Sequence, residues 1–442
     1  MRPRLRHCAP LCLLLAAATA QPPAPAPTPA PDAGALVDQA AAALQKQDLA
    51  AAARLLDQAK ALNPNQPNLA GDYGILYDAR DQTADAIRSY RKELALHPDA
   101  VAFYPALVRD QTAAGQRDDA MASLRAWAAA APANPQPRSA LVDLLLDAKN
   151  PAAALDTATQ AMVALPENHK DPSLQLALGK AQVATGDRTA GVATIAAVLS
   201  TATDPIVVNN AAFELANLGE QLPGAEVAQR RALARIGNVS LGWTLDDPPQ
   251  MRRDKASILI ASWDTLGWIL YREGRYFEAE DFARAAWIDS EHTDIGEHFG
   301  DIESKLGNHD VALKTYTLAL ATLPAKAPPG ADAQRLRDKI DAEKRAGAKL
   351  EKFDPAAGLI QLRTIPLGPA AGRQGDFRYL ILISRDRIEK AQPDGGKGIP
   401  GALELMQKGD VKNFTPVSLE VRLPTTATLR CHANACDLTL EP

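Results

Sequence analysis

Four prolines place the strongest constraint on what this chain folds into. Pro64, Pro98, Pro132 and Pro166 follow one another in steps of 34 residues, and twelve residues ahead of each stands an alanine: Ala52, Ala86, Ala120 and Ala154. Between them apolar residues recur at helical spacing, as in Ala86, Ile87 and Tyr90, or Ala120 and Leu124. A fixed period of this length, with a small residue where two helices cross and a proline at the exit, is the pattern of stacked helix–turn–helix units. Proline closes a helix because it lacks an amide hydrogen and its ring clashes with the turn before it. Gly115, Gly186, Gly274 and Gly307 stand where the turn inside each unit requires left-handed backbone. An irregular Ala-rich bundle would leave the register of the prolines unexplained.

Trp263, Leu266 and Gly267, then Gly274, Arg275 and Tyr276, then Ala279, Ala283 and Ala286 make the fullest single unit. The next unit carries Gly300, Gly307, Ala312, Tyr316, Ala319 and Pro324. With these residues the chain resembles the tetratricopeptide repeat (TPR) family. Gly74, Gly179, Gly267 and Gly300 hold the eighth position, where a small residue lets the two helices of one repeat touch. About eight repeats start near residues 33, 67, 101, 135, 172, 205, 260 and 293. The expected fold is therefore mostly α: a TPR solenoid over 33–326 followed by a small α+β module over 353–442. Around Glu167–Lys170 a short insertion precedes the fifth repeat, and Pro223-Gly224 opens the second helix of the sixth.

Stacked helix pairs build a superhelix with a concave face. The resemblance implies that positions two, five, nine, twelve and thirteen of each first helix line it. In the seventh repeat these are Ala261, Asp264, Trp268, Tyr271 and Arg272; in the eighth, Asp294, Glu297, Asp301, Ser304 and Lys305. The fourth gives Gln136, Ser139, Asp143, Leu146 and Asp147. The candidate groove site is thus Asp264, Trp268, Tyr271, Arg272, Asp294, Glu297 and Asp301, an acidic end with an aromatic anchor. Trp, Tyr and Arg are the residues that most often dominate interfaces. The alternative is that the charges only solvate the face. Some family members hold a carboxylate terminus with a Lys/Asn clamp at positions five and nine. Here those positions read Val37 and Ala41, Gly71 and Ile75, Pro105 and Arg109, so that partner class is disfavoured.

Residues 236–259 interrupt the period before the seventh repeat. Asp246-Asp247-Pro248-Pro249 reads as an N-cap followed by proline in a first turn, and the next helix is expected to run through Met251, Ile258 and Ile260 into the seventh repeat. Trp243 and Leu245 either pack on that helix or form a lid over the groove.

The N-terminus reads as an address. Arg2, Arg4 and Arg6 precede the apolar run Leu11–Ala18, and Ala18-Thr19-Ala20 is a small-residue cleavage site, the order of a secretory signal peptide over 1–20. A Pro-rich spacer, 21–32, follows. The expected location is exported, periplasmic or secreted. Cleavage leaves Cys431 and Cys436 as the remaining thiols, and an even pair in an oxidising compartment favours a disulfide. Thr426–Arg430 and Asp437–Leu440 favour strands that would face the two cysteines across a hairpin with its loop at 432–435.

Beyond the solenoid, residues 332–350 read as a highly charged helix with Leu336, Ile340 and Leu350 inward, suited to cap a stack over 327–352. From Phe353 the pattern turns to strands at Leu359–Arg363, Phe377–Ile383 and Val417–Leu423, with a turn at Arg385-Asp386 and a short helix over 401–407. This order, with Phe414 and Pro416 after the helix, resembles the C-terminal domain of TonB-type energy transducers, which implies docking to an outer-membrane protein.

The chemistry is sparse. His292, His298 and His309 lie near acids but lack the spacing of a helical zinc site, and no nucleophile or phosphate-loop motif occurs. With 48 basic against 53 acidic residues there is no basic footprint for nucleic acid, and no apolar stretch reaches the length of a membrane span. No cofactor or metal is expected. The expected function is a non-enzymatic scaffold holding a protein or peptide partner in the groove. The alternatives are a TonB-like docking protein and an enzyme with its site in the C-terminal module.

Overall fold

The computed structural model describes residues 32–166, 171–323, 330–432 and 434–441. The expected signal peptide and all of the spacer before residue 32 lie outside them, as does the insertion at 167–170.

Eight helix pairs follow one another: α1 (Ala33–Gln45) with α2 (Leu49–Leu62), α3 (Leu69–Asp78) with α4 (Thr83–Leu96), α5 (Tyr104–Ala113) with α6 (Arg117–Ala130), and α7 (Gln136–Asp147) with α8 (Pro151–Ala164). Then come α9 (Pro172–Ala184) with α10 (Arg188–Thr201), α11 (Pro205–Leu218) with α12 (Leu222–Ser240), α13 (Pro249–Arg272) with α14 (Tyr276–Ser290), and α15 (Thr293–Leu306) with α16 (His309–Ala321). Helices α2, α4, α6 and α8 each end two residues before their periodic proline. The alanines twelve residues upstream are fully buried at the crossings. A methyl group added at Gly300 would lie 2.4 Å from the ring of Tyr316, so the two helices meet there at a distance only glycine permits. The chain is a solenoid of TPR-like helix pairs in which each pair packs on its neighbours.

The solenoid ends in α17 (Ala331–Arg345), which buries Leu336 and Ile340 against α16. An α+β module follows: α18 (Pro355–Leu362), β1 (Thr364–Pro369), β2 (Gly375–Ser384), β3 (Arg387–Pro393), α19 (Ala402–Met406), β4 (Leu423–His432) and β5 (Ala435–Leu440). Its strands form one antiparallel sheet in the order β1-β5-β4-β2-β3. Cys431 and Cys436 face each other across the β4–β5 ladder with their sulfurs bonded and Cα atoms 4.1 Å apart. The ladder continues to the pair His432 and Ala435, so these two residues belong to the strands and not to the expected loop.

Three local expectations are corrected. Leu359–Leu362 is the last turn of α18, not a strand. Asp354 caps this helix by accepting from the Ala356 amide, and Pro355 sits in its first turn. A five-residue apolar run does not distinguish helix from strand, and here the cap decides. Residues 417–422 form no strand. The Val417 amide donates to Asp281 and the Arg422 amide to the Ser240 hydroxyl, so the solenoid takes donors that a sheet partner would otherwise need. Neither Asp246 nor Asp247 caps α13. Pro248 is its N-cap residue, and the Asp247 carboxylate turns to Lys255 at 2.6 Å.

The 236–259 insertion is mostly two lengthened helices, α12 with 19 residues and α13 with 24. Its remaining linker buries Trp243 and Leu245, and Leu245 packs on Leu380 and Leu382 of β2. The insertion is thus a seat for the C-terminal sheet. One continuous core joins Trp263 and Trp287 of the seventh repeat and Tyr316 of the eighth to Ile381, Leu429 and Leu438 of the sheet. A buried ion pair, Arg363 with Glu291 at 2.5 Å, crosses the same junction, and Arg363 also donates to the Leu440 carbonyl at 2.9 Å.

Candidate functional site

The first helices of repeats four to six present their concave positions to two adjoining cavities. One, of about 370 Å³, is lined by Ser139 and Asp143 of α7, Leu176 and Lys180 of α9, and Ile206 and Phe213 of α11. The other, of about 440 Å³, adds Leu146, Val183 and Leu218. Lys180 and Glu214 line both. The Lys180 ammonium lies 2.7 Å from Asp143 and 3.7 Å from Glu214, bridging three successive repeats. Burial lowers the Lys180 pKa, but the facing carboxylates outweigh it and the net shift is upward, so the groove carries a fixed cation at its centre. Lys180, Phe213 and Glu214 were not singled out from the sequence. The position rule applied to the fifth and sixth repeats would have found Lys180 and Phe213.

Farther along, Asp264, Trp268, Tyr271 and Arg272 come together on the C-terminal half of α13. Trp268 stacks between two rings: Tyr271 at 4.8 Å and 10°, and His298 of α15 at 4.2 Å and 18°. Phe213 meets the same histidine at 5.9 Å, tilted by 52°. Trp268, Arg272 and His298 are each held by a polar partner. The Trp268 indole donates to the Asn217 side chain at 2.8 Å, and Arg272 donates to the Asn217 carbonyl at 3.0 Å. The His298 ring bonds the buried Asp264 carboxylate at 2.9 Å. Burial lowers the His298 pKa, while the charge and hydrogen bond of Asp264, with Asp301 and Asp294 beyond, raise it more; the net shift is upward. His298 thus adds an aromatic ring to this part of the concave face, with its charged form favoured by Asp264. The wall is rigid and aromatic, of the kind that anchors an interface residue at low entropic cost.

Asp294, Glu297 and Asp301 turn to α17, with Asp301 and Asp294 still near enough to act on His298 by charge. Arg335 donates to both Glu297 oxygens at 2.7 and 2.9 Å through Nε and again at 2.8 Å through Nη2, and lies 3.8 Å from Asp294. Lys339 bridges Glu297, at 2.7 Å, and Asp301. The Tyr316 hydroxyl also donates to Asp301, at 2.7 Å. Burial raises the Glu297 pKa, but the hydrogen bonds and charges of Arg335 and Lys339 outweigh it and hold the carboxyl below its usual range. The acidic end expected from the sequence is therefore satisfied within the chain. The cap supplies the cations that pair Glu297 and Asp301.

Among the described residues no group of three or more His, Cys, Asp or Glu side chains is arranged to hold a metal ion. No helix among them is long and apolar enough to cross a membrane.

No protein-family model matches the sequence, and no curated protein matches it. Similar solved structures are found. A tetratricopeptide repeat protein from Parabacteroides merdae is 13% identical over 70% of this chain and 97% of its own, with a TM-score of 0.41. The Cut9–Hcn1 hetero-tetramer of the APC/C is 12% identical over 70% of this chain and 48% of the other, with a TM-score of 0.43. YrrB, described as a TPR protein with an unusual peptide-binding site, is 19% identical over 40% of this chain and 91% of its own, with a TM-score of 0.30.

Proposed function

We propose that this chain is an exported, non-catalytic scaffold that holds an extended segment of a partner protein in the concave groove of repeats four to seven. The observation that carries this reading is the row of joined cavities centred on Lys180, with the Trp268–His298 stack farther along the same concave face. A hydrogen-bonded cation and fixed aromatic faces are suited to an extended peptide. Lys180, already held by Asp143 and Glu214, has donor capacity left for backbone carbonyls, and Phe213 and Trp268 take apolar side chains. The partner's chemistry is accordingly apolar, since Lys180 is paired with Asp143 and Glu214 and the acids at the far end are paired with α17.

The C-terminal module supports this reading as part of the scaffold rather than as a free docking arm. Its sheet shares a core with the seventh and eighth repeats, and Arg363 and Arg422 fasten it to Glu291 and to the end of α12. Export is supported by the N-terminal sequence pattern and by the bonded Cys431–Cys436 pair, which suits an oxidising compartment.

The test is capture of partners from an envelope extract by the full mature chain, compared with Trp268→Ala and Lys180→Glu. A shared partner that both variants lose while their unfolding profiles stay native supports the groove. Equal capture by all three refutes it. Mass spectrometry of the mature protein should begin at Gln21; an intact Met1 in a soluble cytosolic fraction would end the export proposal.

A further inference from the structure

A second cavity, separate from the groove, lies where the solenoid meets the C-terminal sheet. It has a volume of about 690 Å³ and is bounded by the N-terminal half of α13, the end of α14 and the start of β4. Trp268 and Tyr271 stand on the other half of α13 and take no part in it. Helix α13 gives the cavity a charged end and an apolar end. Arg252, Ala256 and Ile260 follow at four-residue steps, as do Arg253, Ser257 and Ala261, so each set forms a row along one face of the helix. At the helical rise such a row spans about 12 Å. Ile295 of α15 and Leu423 and Pro424 of β4 add to the apolar wall.

Neither arginine has a carboxylate partner among the described residues. Arg252 donates through Nη1 to the carbonyls of Leu245 and Asp247, and Arg253 through Nη2 to the Gln250 side chain at 2.7 Å. Their other guanidinium donors are unspent within the described chain. Helix stability does not account for the pair, since the first turn of α13 holds no acid and a cation near that end opposes the helix dipole. The negative groups of the lining are occupied or hidden. Asp394 and Glu441 both pair with Arg378, at 3.4 and 2.8 Å. The Asp289 Oδ2 is shut off from solvent, and burial pushes that carboxyl well above the usual carboxylate range against the opposing charge of Arg363. Three arginines thus stand against two ionised carboxylates, with the exposed His292 ring beside them, and the lining is net positive.

We propose that this cavity binds an aliphatic monocarboxylate of fatty-acid type, its carboxylate held by Arg252 and Arg253 and its chain laid along Ala256 and Ile260 against Ile295 and Leu423. Guanidinium groups match a carboxylate through paired N–H donors, and the volume is that of a small-ligand site. The charge at one end of each row and the apolar residues at the other give the ligand its direction. A methylene chain fits better than a peptide strand, because Pro424 on β4 has no amide to donate to an added strand.

The experiment is titration calorimetry on the full mature chain with decanoate, hexanoate and decylammonium, each below its micellar range. The expected result is saturable 1:1 binding of decanoate, weakened by up to about fourfold for each methylene removed toward hexanoate. Decylammonium should bind at least roughly tenfold more weakly, since it carries the same chain with the wrong charge. Arg253→Glu, at an exposed position, should weaken decanoate by about tenfold or more. Ser257→Trp, exposed and between the charged and apolar ends, should weaken it comparably by obstruction. Absence of saturable decanoate binding at millimolar concentration overturns the proposal. Equal affinity for decylammonium overturns it too, as an apolar cavity blind to charge. Decanoate binding that both variants leave unchanged places the ligand elsewhere, the groove included, and also overturns it. Tighter binding of acetyl-Gly-Leu-Leu with a free carboxylate than of decanoate overturns the aliphatic occupant in favour of a peptide C-terminus.

Discussion

Removal of Arg335 and Lys339 together should release α17 from the solenoid. Glu297 is 6% exposed and has both oxygens bonded to these two cations. A hydrogen bond to a charged group is worth about 1.5–3 kcal/mol net. The Arg335 side chain is 44% exposed and solvent screens it, so its contribution belongs at or below the low end. Lys339, at 27%, is sheltered better. The double variant Arg335→Ala/Lys339→Ala should therefore cost about 3 kcal/mol, the lower edge of what leaving a buried charge unpaired costs. In a solenoid this loss is local, so the assay is native-state amide exchange of residues 331–345 against 276–290 as internal reference. The pH dependence supplies a second signature. Glu297 has a folded pKa below its unfolded value, so its contribution is present above the ordinary glutamate pKa, roughly 4.3, and is lost as pH falls through the folded value. Protection of α17 should drop over that acid range in the native protein, and in the double variant acidification should instead raise it, because protonation relieves the burial of an unpaired Glu297. A loss below about 0.5 kcal/mol, in the range of surface pairs, would refute the reasoning and leave α17 held by Leu336 and Ile340 alone.

Gly300→Val should destabilise by about 1–3 kcal/mol or more, because the new Cβ would meet the Tyr316 ring at 2.4 Å and that ring is buried with its hydroxyl bonded to Asp301. Gly224→Ala, where a Cβ meets nothing within 4 Å, is the control, and urea unfolding that moves both variants equally would remove the close-approach argument. His298 has a folded pKa above its unfolded value, so its contribution is full below about 6.5 and is lost as pH rises through the higher folded value. The melting temperature of the native protein should therefore fall relative to His298→Gln across that window; parallel curves would show that the Asp264 contact does not favour the charged ring.

What could be read from the sequence was what repeats. A proline that stops a helix, an alanine or glycine where helices cross and a glycine at a turn act within one repeat and on its neighbours, so a 34-residue period carries their meaning without knowledge of the rest. The fully buried Ala52, Ala86, Ala120 and Ala154 and the ring of Tyr316 over Gly300 are that local logic realised. The hairpin of Cys431 and Cys436 belongs to the same class, because its partners are five residues apart. The rest depended on contacts between segments that share no pattern. Whether Glu297 meets solvent, a partner or Arg335 is decided by how α17 lies on the stack, and a charged residue's type does not name its counter-ion. The 417–422 segment alternates like a strand, yet its amides at Val417 and Arg422 find acceptors on α14 and α12 across more than a hundred residues. The cavity between α13 and β4 exists only because the sheet is seated on the lengthened α13. Burial, charge pairing and enclosed volume are properties of surfaces brought together, and tertiary structure decided them here.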